Sequence, residues 1–299
     1  MVDVVPVVGV FGIGMGPCAT AAGLRRIGAL AEELGYESVW APEHVVLPSP
    51  RQEPSPIDPD HPILDPLIAL ALVAGVTRRV RLGTGVLILP QHNPVRLAKE
   101  VASLDAVSEG RTVLGVGVGY LEPEMAAMGV PPRGRGARAD EFLQAMHTLW
   151  YDEAPAMDGS HVSFSGLDAR PRPVQERIPV VIGGRSPAAF RRAVRYGSGW
   201  YGFRLDRARA EGDISSLRAA ASAAGRDPDE LTVTVTPTEK LTPEVVADYA
   251  ELGVHRLAVM QPDFRFRVVT AGEFEEFVYA NAPREVGAAG PAGSAGSAA

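Results

Sequence analysis

The sequence contains few of the residues that build disulfide frameworks and metal clusters. Its 299 residues include one cysteine, Cys18, which excludes both a disulfide framework and a cysteine-rich zinc site. No two histidines have the spacing of metal ligands, and the metalloprotease motif His-Glu-x-x-His is absent. We therefore expect a protein without a metal site.

Long apolar runs and clusters of basic residues are also missing. No apolar run reaches the roughly 18 residues of a membrane span, and Pro6 and Gly9 interrupt the stretch in which a signal peptide would begin. The net charge is −7, and no basic run could follow a nucleic-acid backbone. These features predict a cytoplasmic protein whose partner is a small molecule rather than a membrane or a nucleic acid.

The sequence does contain a regular alternation of strand and helix patterns. Eight strand–helix units follow one another, which indicates a parallel sheet and matches a closed (β/α)8 TIM barrel, an α/β fold. An open, doubly wound sheet is the alternative. The predicted strands are Val4–Phe11, Ser38–Trp40, Val80–Leu89, Thr112–Val116, Val180–Ile182, Gly199–Gly202, Leu231–Thr236 and His255–Met260. The predicted helices are Thr20–Leu34, Leu64–Val76, Pro94–Val107, Arg138–Tyr151, one that starts at Pro187, Arg207–Ala224, Pro243–Leu252 and Ala271–Ala280.

Three segments fall outside this alternation. Residues 152–177, after the fourth helix, carry the turn pairs Asp158-Gly159 and Ser165-Gly166 and are predicted to be an insertion with a small hairpin. Residues 48–62 form a long proline-rich loop, and both segments are long enough to act as lids that exclude water. Residues 287–299 contain only Gly, Ala, Ser and Pro and are predicted to be a disordered tail behind a single domain of residues 1–286.

The sequence around the fifth strand is typical of an anion-binding turn. Val180–Ile182 is β-branched throughout, and Gly183 and Gly184 allow a tight turn before Ser186 caps the next helix. The exposed N–H groups and the helix dipole at such a turn favour a phosphate, and Arg185 could add a charge-assisted bond. An ordinary strand-to-helix turn is the alternative for this segment alone.

Two other glycine-rich segments also follow strands. The segment 12–16 has no third glycine at the offset that the dinucleotide-binding motif Gly-x-Gly-x-x-Gly requires, and the acidic residue expected at the end of the next strand is also missing. The segment 115–119 lets the backbone approach a ligand closely. Gly-x-Ser-x-Gly, a Walker loop and a Ser-His-Asp order are all absent. A protein with a phosphate-binding turn but no nucleophile motif or metal site is expected to take its chemistry from a phosphorylated cofactor.

Several side chains at predicted strand ends could act on a ligand. Glu43 and His44 follow the second strand, where a histidine can exchange protons with a bound substrate. His92 follows the third strand, where ligand contact and a loop role are equally expected. Trp200 and Tyr201 could wall a planar ring or pack at the barrel rim. The remaining histidines are expected to be structural: His61, His147, His161 and His255.

Arginines and apolar residues complete the predicted rim. Arg133, Arg135 and Arg138 precede the fourth helix, where they either meet an anionic cofactor tail or form a solvated basic face. The substrate pocket is predicted to be mostly apolar and aromatic, which suits a neutral or apolar substrate better than a sugar phosphate. Its predicted lining is Phe11, Leu89, His92, Trp200 and Tyr201, with Phe203 beside them.

Taken together, these segments resemble the bacterial luciferase-like family, and most closely its branch that uses the deazaflavin coenzyme F420. The resemblance runs from about residue 8 to 202 and is weak beyond residue 203. It rests on Trp40-Ala-Pro-Glu-His44, Arg81-Leu-Gly-Thr-Gly-Val-Leu-Ile-Leu-Pro90, Asn93-Pro94, Gly115-Val-Gly-Val-Gly119, Arg135-Gly-Ala-Arg138, Ile182-Gly-Gly-Arg185 and Gly199-Trp200.

The resemblance implies a barrel with an insertion after helix four, a homodimer, and a cofactor that lies across the ends of the third to fifth strands. A non-proline cis peptide is implied near Gly85 and Val86, against the reactive face of the ring. Glu43 and His44 would lie beside the ring. The phosphate side would be held by Gly117, Val118, Gly119, Gly183, Gly184, Arg185 and Ser186.

One position departs from the family pattern. Some deazaflavin dehydrogenases of the family place a glutamate directly after the glycine-rich segment, where this sequence has Tyr120. The departure makes a sugar-phosphate dehydrogenase doubtful and adds Tyr120 to Glu43 and His44 as a candidate catalytic residue.

The resemblance therefore predicts an F420-dependent oxidoreductase that transfers a hydride between the deazaflavin C5 and a small or medium organic substrate, with a C=N or C=C bond as the preferred acceptor. An FMN-dependent monooxygenase supplied by a flavin reductase is the first alternative. A non-catalytic barrel that binds a flavin-like ligand is the second.

Overall fold

Eight parallel strands close into a barrel in the computed structural model, which describes residues 5–265 and 267–290. Each strand pairs with the next one along the chain, and the first pairs with the last. The predicted (β/α)8 TIM barrel is therefore confirmed, and the open sheet is excluded. The strands are β1 (Val7–Phe11), β2 (Ser38–Ala41), β3 (Arg81–Thr84), β4 (Thr112–Gly117), β5 (Val180–Gly183), β6 (Gly199–Leu205), β7 (Thr232–Pro237) and β8 (Arg256–Met260).

The helices begin at residues that suit helix starts. Thr20, Asn93 and Ser186 each accept a hydrogen bond from a backbone N–H of the first turn. Pro94 and Pro187 follow the latter two caps as first helical residues. The helices are α1 (Ala21–Glu33), α2 (Pro66–Ala74), α3 (Pro94–Val107), α4 (Glu122–Ala127), α5 (Arg135–Tyr151), α6 (Pro187–Tyr196), α7 (Arg207–Ala223), α8 (Pro243–Glu251) and α9 (Ala271–Ala280).

The predicted third strand, Val80–Leu89, is wrong as one unbroken element. β3 ends at Thr84, the Gly85–Val86 peptide is cis, and a short strand, Leu87–Ile88, resumes the pairing with β4. The cis bond lies where the family resemblance implied it. Across the break, the Thr84 hydroxyl donates to the Gly115 carbonyl at 2.7 Å and accepts from the Gly115 N–H at 2.8 Å. A side chain thus joins β3 to β4 where the regular ladder stops.

Other elements also differ from the prediction. The sequence did not predict α4, which lies in the loop after β4, and α5 begins at Arg135 rather than at Arg138. The hairpin in the 152–177 insertion is confirmed as Met157–Asp158 paired with Ser163–Phe164. Of the predicted tail, residues 287–290 are described, and the Ala289 N–H donates to the Pro6 carbonyl. The rest of the tail, and Val4 of the predicted first strand, lie outside the described residues.

Buried side chains form an inner and an outer layer around the strands. The inner cluster includes Phe11, Trp40 and Tyr201, and the outer cluster fills the space between strands and helices. At the N-terminal ends of the strands, the Arg256 guanidinium lies 2.6 Å from Glu37 Oε1 and 5.5 Å from the centre of the Trp40 ring. Burial alone would raise the pKa of Glu37, but hydrogen bonds and charge from Arg256 hold it below its ordinary value. This ion pair closes one end of the barrel.

No helix in the described part of the chain combines the length and the apolar content that crossing a lipid bilayer would require.

The Thr84 bridge makes a testable contribution to stability. Thr84→Val keeps the shape of the side chain but leaves the buried N–H and C=O of Gly115 without their partner, which costs about 2–3 kcal/mol. Urea unfolding would measure this loss. Thr232→Val, in the half-buried first position of β7, is the control, and we expect it to change stability by less than about 0.5 kcal/mol. Equal losses in the two variants would contradict the role of the bridge.

Candidate active site

A cavity of about 360 Å³ opens at the C-terminal ends of the barrel strands. Phe11 ends β1, Gly117 ends β4, Gly183 ends β5 and Met260 ends β8, and all four residues line it. This is the end of a (β/α)8 barrel at which active sites are built. Residues from the 48–62 loop, including Ile57, cover part of the opening. The structure therefore concentrates the predicted functional residues at one place.

The two glycine-rich turns lie side by side. β4 and β5 are paired, with Val116 opposite Ile182, so the turns that follow them reach the same cavity. The predicted cofactor-binding residues that line it are Gly85, Val86, Gly117, Val118, Gly119, Gly183, Gly184 and Ser186.

Val86 fills the space between these turns. A Cβ atom built on Gly117 would lie 3.0 Å from a Val86 methyl, and one on Gly183 would lie 3.3 Å from both methyls. A Cβ on Gly115 would lie 2.0 Å from the Thr84 carbonyl oxygen. Only glycine lets the backbones of β4 and β5 approach the third strand this closely. The result is a smooth surface on which a planar ring can lie.

The start of α6 presents unpaired donors beside this surface. Within residues 5–265 and 267–290, the structure gives no protein acceptor for the N–H groups of Gly184, Arg185 and Ser186. The Ser186 hydroxyl is already used, because it accepts from the Ala189 N–H at 3.2 Å. Backbone N–H groups at a helix start favour an anion such as a phosphate.

His44 enters the cavity with one ring nitrogen held by a carboxylate. Its Nδ1 lies 2.9 Å from Oε2 of Glu124, and the other oxygen of Glu124 accepts from the Val45 N–H at 2.6 Å. An ionised carboxylate only accepts hydrogen bonds, so this contact favours the tautomer with the proton on Nδ1, which leaves Nε2 to meet a ligand. The ring edge of His44 faces Tyr120, with the ring centres 6.0 Å apart. His44 is thus placed to exchange a proton with a bound molecule.

Glu43 forms a second carboxylate–histidine pair. Its Oε2 accepts from the Ile88 N–H at 2.5 Å, and its Oε1 lies 2.9 Å from Nε2 of His92. Burial by itself lowers the pKa of His92, but the hydrogen bond and charge of Glu43 outweigh it and raise that pKa above its ordinary value. Glu43 lines the cavity, yet both of its oxygens are already used, one by the Ile88 N–H and the other by the His92 ring.

The rest of the cavity wall is apolar. Among the residues that line it, none is a lysine or an arginine. Tyr201 lines the wall with its hydroxyl 2.7 Å from the Thr236 hydroxyl, and burial raises the pKa of Tyr201, so its phenol stays neutral. The apolar side chains are Phe11, Met15, Pro42, Pro56, Ile57, Ile63, Val86, Ile88, Val118, Ala189, Phe203, Met260 and Phe264.

Four predicted site residues lie elsewhere. Leu89 and Trp200 belong to the hydrophobic core, and the Trp200 indole N–H donates to the Gly184 carbonyl at 2.7 Å. Trp200 is turned away from the barrel interior because successive side chains of a strand point to opposite faces, whereas Leu89 lies in a short 3-10 helix that follows the third strand. His92 contacts Glu43 rather than the cavity. The Arg185 guanidinium is paired with Asp213 of α7.

The arginines before the predicted fourth helix have separate roles. Arg135 donates to the carbonyls of Gly119, at 3.3 Å, and Pro132, at 2.7 Å, and so braces the glycine turn. Arg138 lies over the ring of Phe142, 5.0 Å from its centre. Neither guanidinium lines the cavity.

Sequence reasoning missed Glu124 and most of the apolar wall. Glu124 lies in α4, a short helix inside a loop, and its contact with His44 joins residues 80 positions apart. Met15, Ile57, Ile63 and Phe264 come from loops whose path the sequence pattern does not fix. An acid that follows the glycine turn was the available signal, but the family pattern places that acid at position 120.

The raised pKa of His92 predicts a pH-dependent stability. A histidine with a raised folded-state pKa stabilises the protein fully below its ordinary pKa of 6.5, and this contribution is lost as pH rises through the folded-state value. The free energy of unfolding of the wild type relative to His92→Gln should therefore be largest near pH 6 and shrink toward pH 9. Urea unfolding at a series of pH values measures this difference. A constant difference, or a His92 ring signal that titrates below pH 6.5, would rule the pair out.

Known proteins are similar to this chain in sequence and in fold. A family model described as luciferase-like monooxygenase matches residues 8–251. An uncharacterized protein of Mycobacterium tuberculosis is 36% identical over 245 residues, which are 78% of this chain and 85% of the relative. An F420-dependent hydroxymycolic acid dehydrogenase of the same organism is 31% identical over 207 residues, which are 67% of this chain and 54% of the relative.

Solved structures confirm the fold. A monooxygenase from Streptomyces bottropensis superposes with a TM-score of 0.70 at 24% identity, over 91% of this chain and 98% of that one. Other structures with this fold include F420-dependent enzymes and flavin monooxygenases. The resemblance found in the sequence is confirmed, and the chain belongs to the luciferase-like monooxygenase family.

Proposed function

We propose that the protein is an F420-dependent oxidoreductase that reduces a C=N or C=C bond of a small or medium-sized organic substrate. The observation that carries the proposal is the placement of the His44–Glu124 pair and two adjacent glycine turns around one largely apolar cavity. The 31% identity to an F420-dependent dehydrogenase supports the choice of cofactor.

The residues present fit a deazaflavin. Gly117 and Gly183 carry no side chains, so their backbones and the Val86 side chain together form a low surface on which a flat ring would fit. The N–H groups of residues 184–186 suit the phosphate of its side chain. When bound, a reduced deazaflavin supplies a hydride from its C5 carbon.

The protein's own side chains would perform the remaining tasks. His44 would hold or give up the proton at Nε2, since Glu124 occupies Nδ1. Ile57 and Pro56 of the 48–62 loop would exclude water from the reacting atoms. Glu43 would keep Ile88 and the preceding cis peptide in place through its bond to the Ile88 N–H. Tyr120, beside His44, is a second group that could contact the substrate.

The cavity supports a neutral, apolar substrate. No lysine or arginine lines it to pair with a phosphate or carboxylate of the substrate, and the wall opposite the glycine turns consists of Met15, Ile63, Met260 and Phe264. A cyclic imine or an activated alkene matches these surroundings. The homodimer and the cytoplasmic location stay predictions, which light scattering and cell fractionation would test.

An FMN-dependent monooxygenase is the second candidate. It is favoured by the monooxygenase from Streptomyces bottropensis, which this chain matches over nearly its whole length. The same glycine surface would accept the ring of FMN, and the N–H groups of residues 184–186 would accept its phosphate. The two candidates differ in cofactor and in the use of oxygen.

Titration with F420 and FMN side by side distinguishes these candidates. We expect F420 to bind more tightly, and reduced F420 to be oxidised by a cyclic imine or an activated alkene without oxygen uptake, because a deazaflavin transfers hydride without forming a stable oxygen adduct. Absorbance and an oxygen electrode follow both quantities in one cuvette. Tighter binding of FMN together with substrate-dependent oxygen consumption would replace the first candidate by the second.

Gly117→Val should weaken cofactor binding. A Cβ at this position already lies 3.0 Å from Val86, and the two methyl groups of valine would enter the space of the ring. We expect the affinity for F420 to fall by about tenfold or more, a loss of at least about 1.4 kcal/mol. Gly212→Ala on α7 is the control, because no atom lies within 4 Å of a Cβ there. Unchanged affinity in Gly117→Val would place the ring elsewhere.

A further inference from the structure

The carboxylate of Glu124 meets His44 from an element that the sequence did not predict. Tyr120 stands directly after the glycine turn, and Glu124 follows four residues later in α4. We infer that Glu124 is a positioning residue that fixes the Nδ1–H form of His44 and stabilises the imidazolium that forms when Nε2 takes up a proton. The role in turnover rests on the proposed function, whereas the state of the ring is a property of the protein alone.

The burial of Glu124 is the first support. Its side chain is 0% exposed, and that of His44 is 11% exposed. In the described part of the chain, its carboxylate is partnered by the His44 ring and the Val45 N–H, and no lysine or arginine forms an ion pair with it. A buried carboxylate is costly unless a cation or hydrogen bonds compensate for it. The protonated ring of His44 is the cation that the geometry brings to Glu124.

The second support is that the two oxygens of Glu124 hold two adjacent residues. One oxygen holds the His44 ring, and the other holds the backbone of the next residue, Val45. The carboxylate therefore fixes the ring relative to its own main chain at the end of β2. A rotated ring would lose its partner at Nδ1, so the nitrogen that faces the ligand is specified.

The other carboxylate–histidine pair, Glu43 and His92, does not present its histidine to the cavity. Glu43 divides its oxygens between His92 and the Ile88 N–H, and His92 does not line the cavity. That pair braces a strand. The pair made by Glu124 instead presents its histidine to the cavity, which is where a proton can be exchanged.

The proton balance follows from this geometry. In the reductive direction Nε2 of the His44 imidazolium would give a proton to the nitrogen of the C=N bond, whose carbon would receive the hydride that a bound reduced deazaflavin supplies. The ring returns to its neutral form, with Nδ1–H still bonded to Glu124, and regains a proton from water. The two electrons come from the cofactor of the proposed function, and Glu124 keeps its charge throughout.

Two-bond ¹H–¹⁵N spectra of the full-length protein without cofactor test the inference directly. The spectra report which nitrogen of each of the six histidines carries the proton, and His44→Gln assigns the signal of His44. We expect the Nδ1–H form in the wild type and in Glu124→Asp. In Glu124→Gln the side-chain amide can donate to Nδ1, so the ring should change to the Nε2–H form. An Nε2–H form in the wild type, or an unchanged spectrum in Glu124→Gln, would overturn the inference.

Steady-state kinetics add a second readout. Glu124→Gln should lower kcat by about 10²-fold while KM changes by less than about threefold, because the carboxylate acts through the histidine and not on the substrate. Asp105→Asn removes another buried carboxylate, which holds the 174–175 backbone far from the cavity, and should leave the His44 spectrum unchanged. A rise in KM with unchanged kcat would count against the role of Glu124. If the wild type does not react with F420, the proposed function fails, and the spectra still decide the role of Glu124.

Discussion

The contact between Val86 and the glycines of the fourth and fifth strands determines the shape of the site. A side chain at Gly117 or Gly183 would press on Val86, and one at Gly115 would overlap the Thr84 carbonyl. Because these backbones approach so closely, the third strand cannot continue its regular ladder, and the Thr84 hydroxyl supplies the missing hydrogen bonds. The same crowding leaves a low surface of glycine backbone and the Val86 side chain at the end of the barrel, which is the kind of surface that a planar ring requires.

The closed barrel places different chemical groups on different walls of the cavity. The paired β4 and β5 contribute backbone N–H groups and glycines, whereas the loops after β1 and β2 contribute Met15 and Ile57. A ligand held between these walls would have an anionic part near α6 and an apolar part under the 48–62 loop. His44 lies beside Tyr120 at this cavity, and its bond to Glu124 ties the end of β2 to α4. The division explains how a turn with free backbone N–H groups and a wall without lysine or arginine occur in the same site.

Much of this arrangement could be predicted from sequence, because it depends on local patterns. The alternation of β-branched runs and capped helices predicts the barrel, and the glycine turns at 117–119 and 183–186 follow from the strands that precede them. The side-chain direction of Trp200 could not be predicted, since a shift of one residue along a strand moves a side chain to the other face. Leu89 was misplaced for another reason, because it lies beyond the end of the third strand in a short 3-10 helix. Glu124 was missed for a different reason: its contact with His44 depends on how a loop folds across 80 residues of sequence.

The position of Glu124 also explains how Tyr120 can follow the glycine turn. An acid at position 120 would stand at the cavity itself, whereas Glu124 is fully buried behind His44 and reaches the cavity only through the imidazole. The negative charge of Glu124 is thereby kept out of the cavity, where Glu43 is the acid in the wall, and a half-exposed phenol ring stands at position 120. A charge placed behind a histidine can tune proton transfer without repelling or solvating an apolar ligand. The buried acid behind His44 and the largely apolar wall therefore belong to one arrangement, in which the imidazole is the group that the pair presents to the cavity.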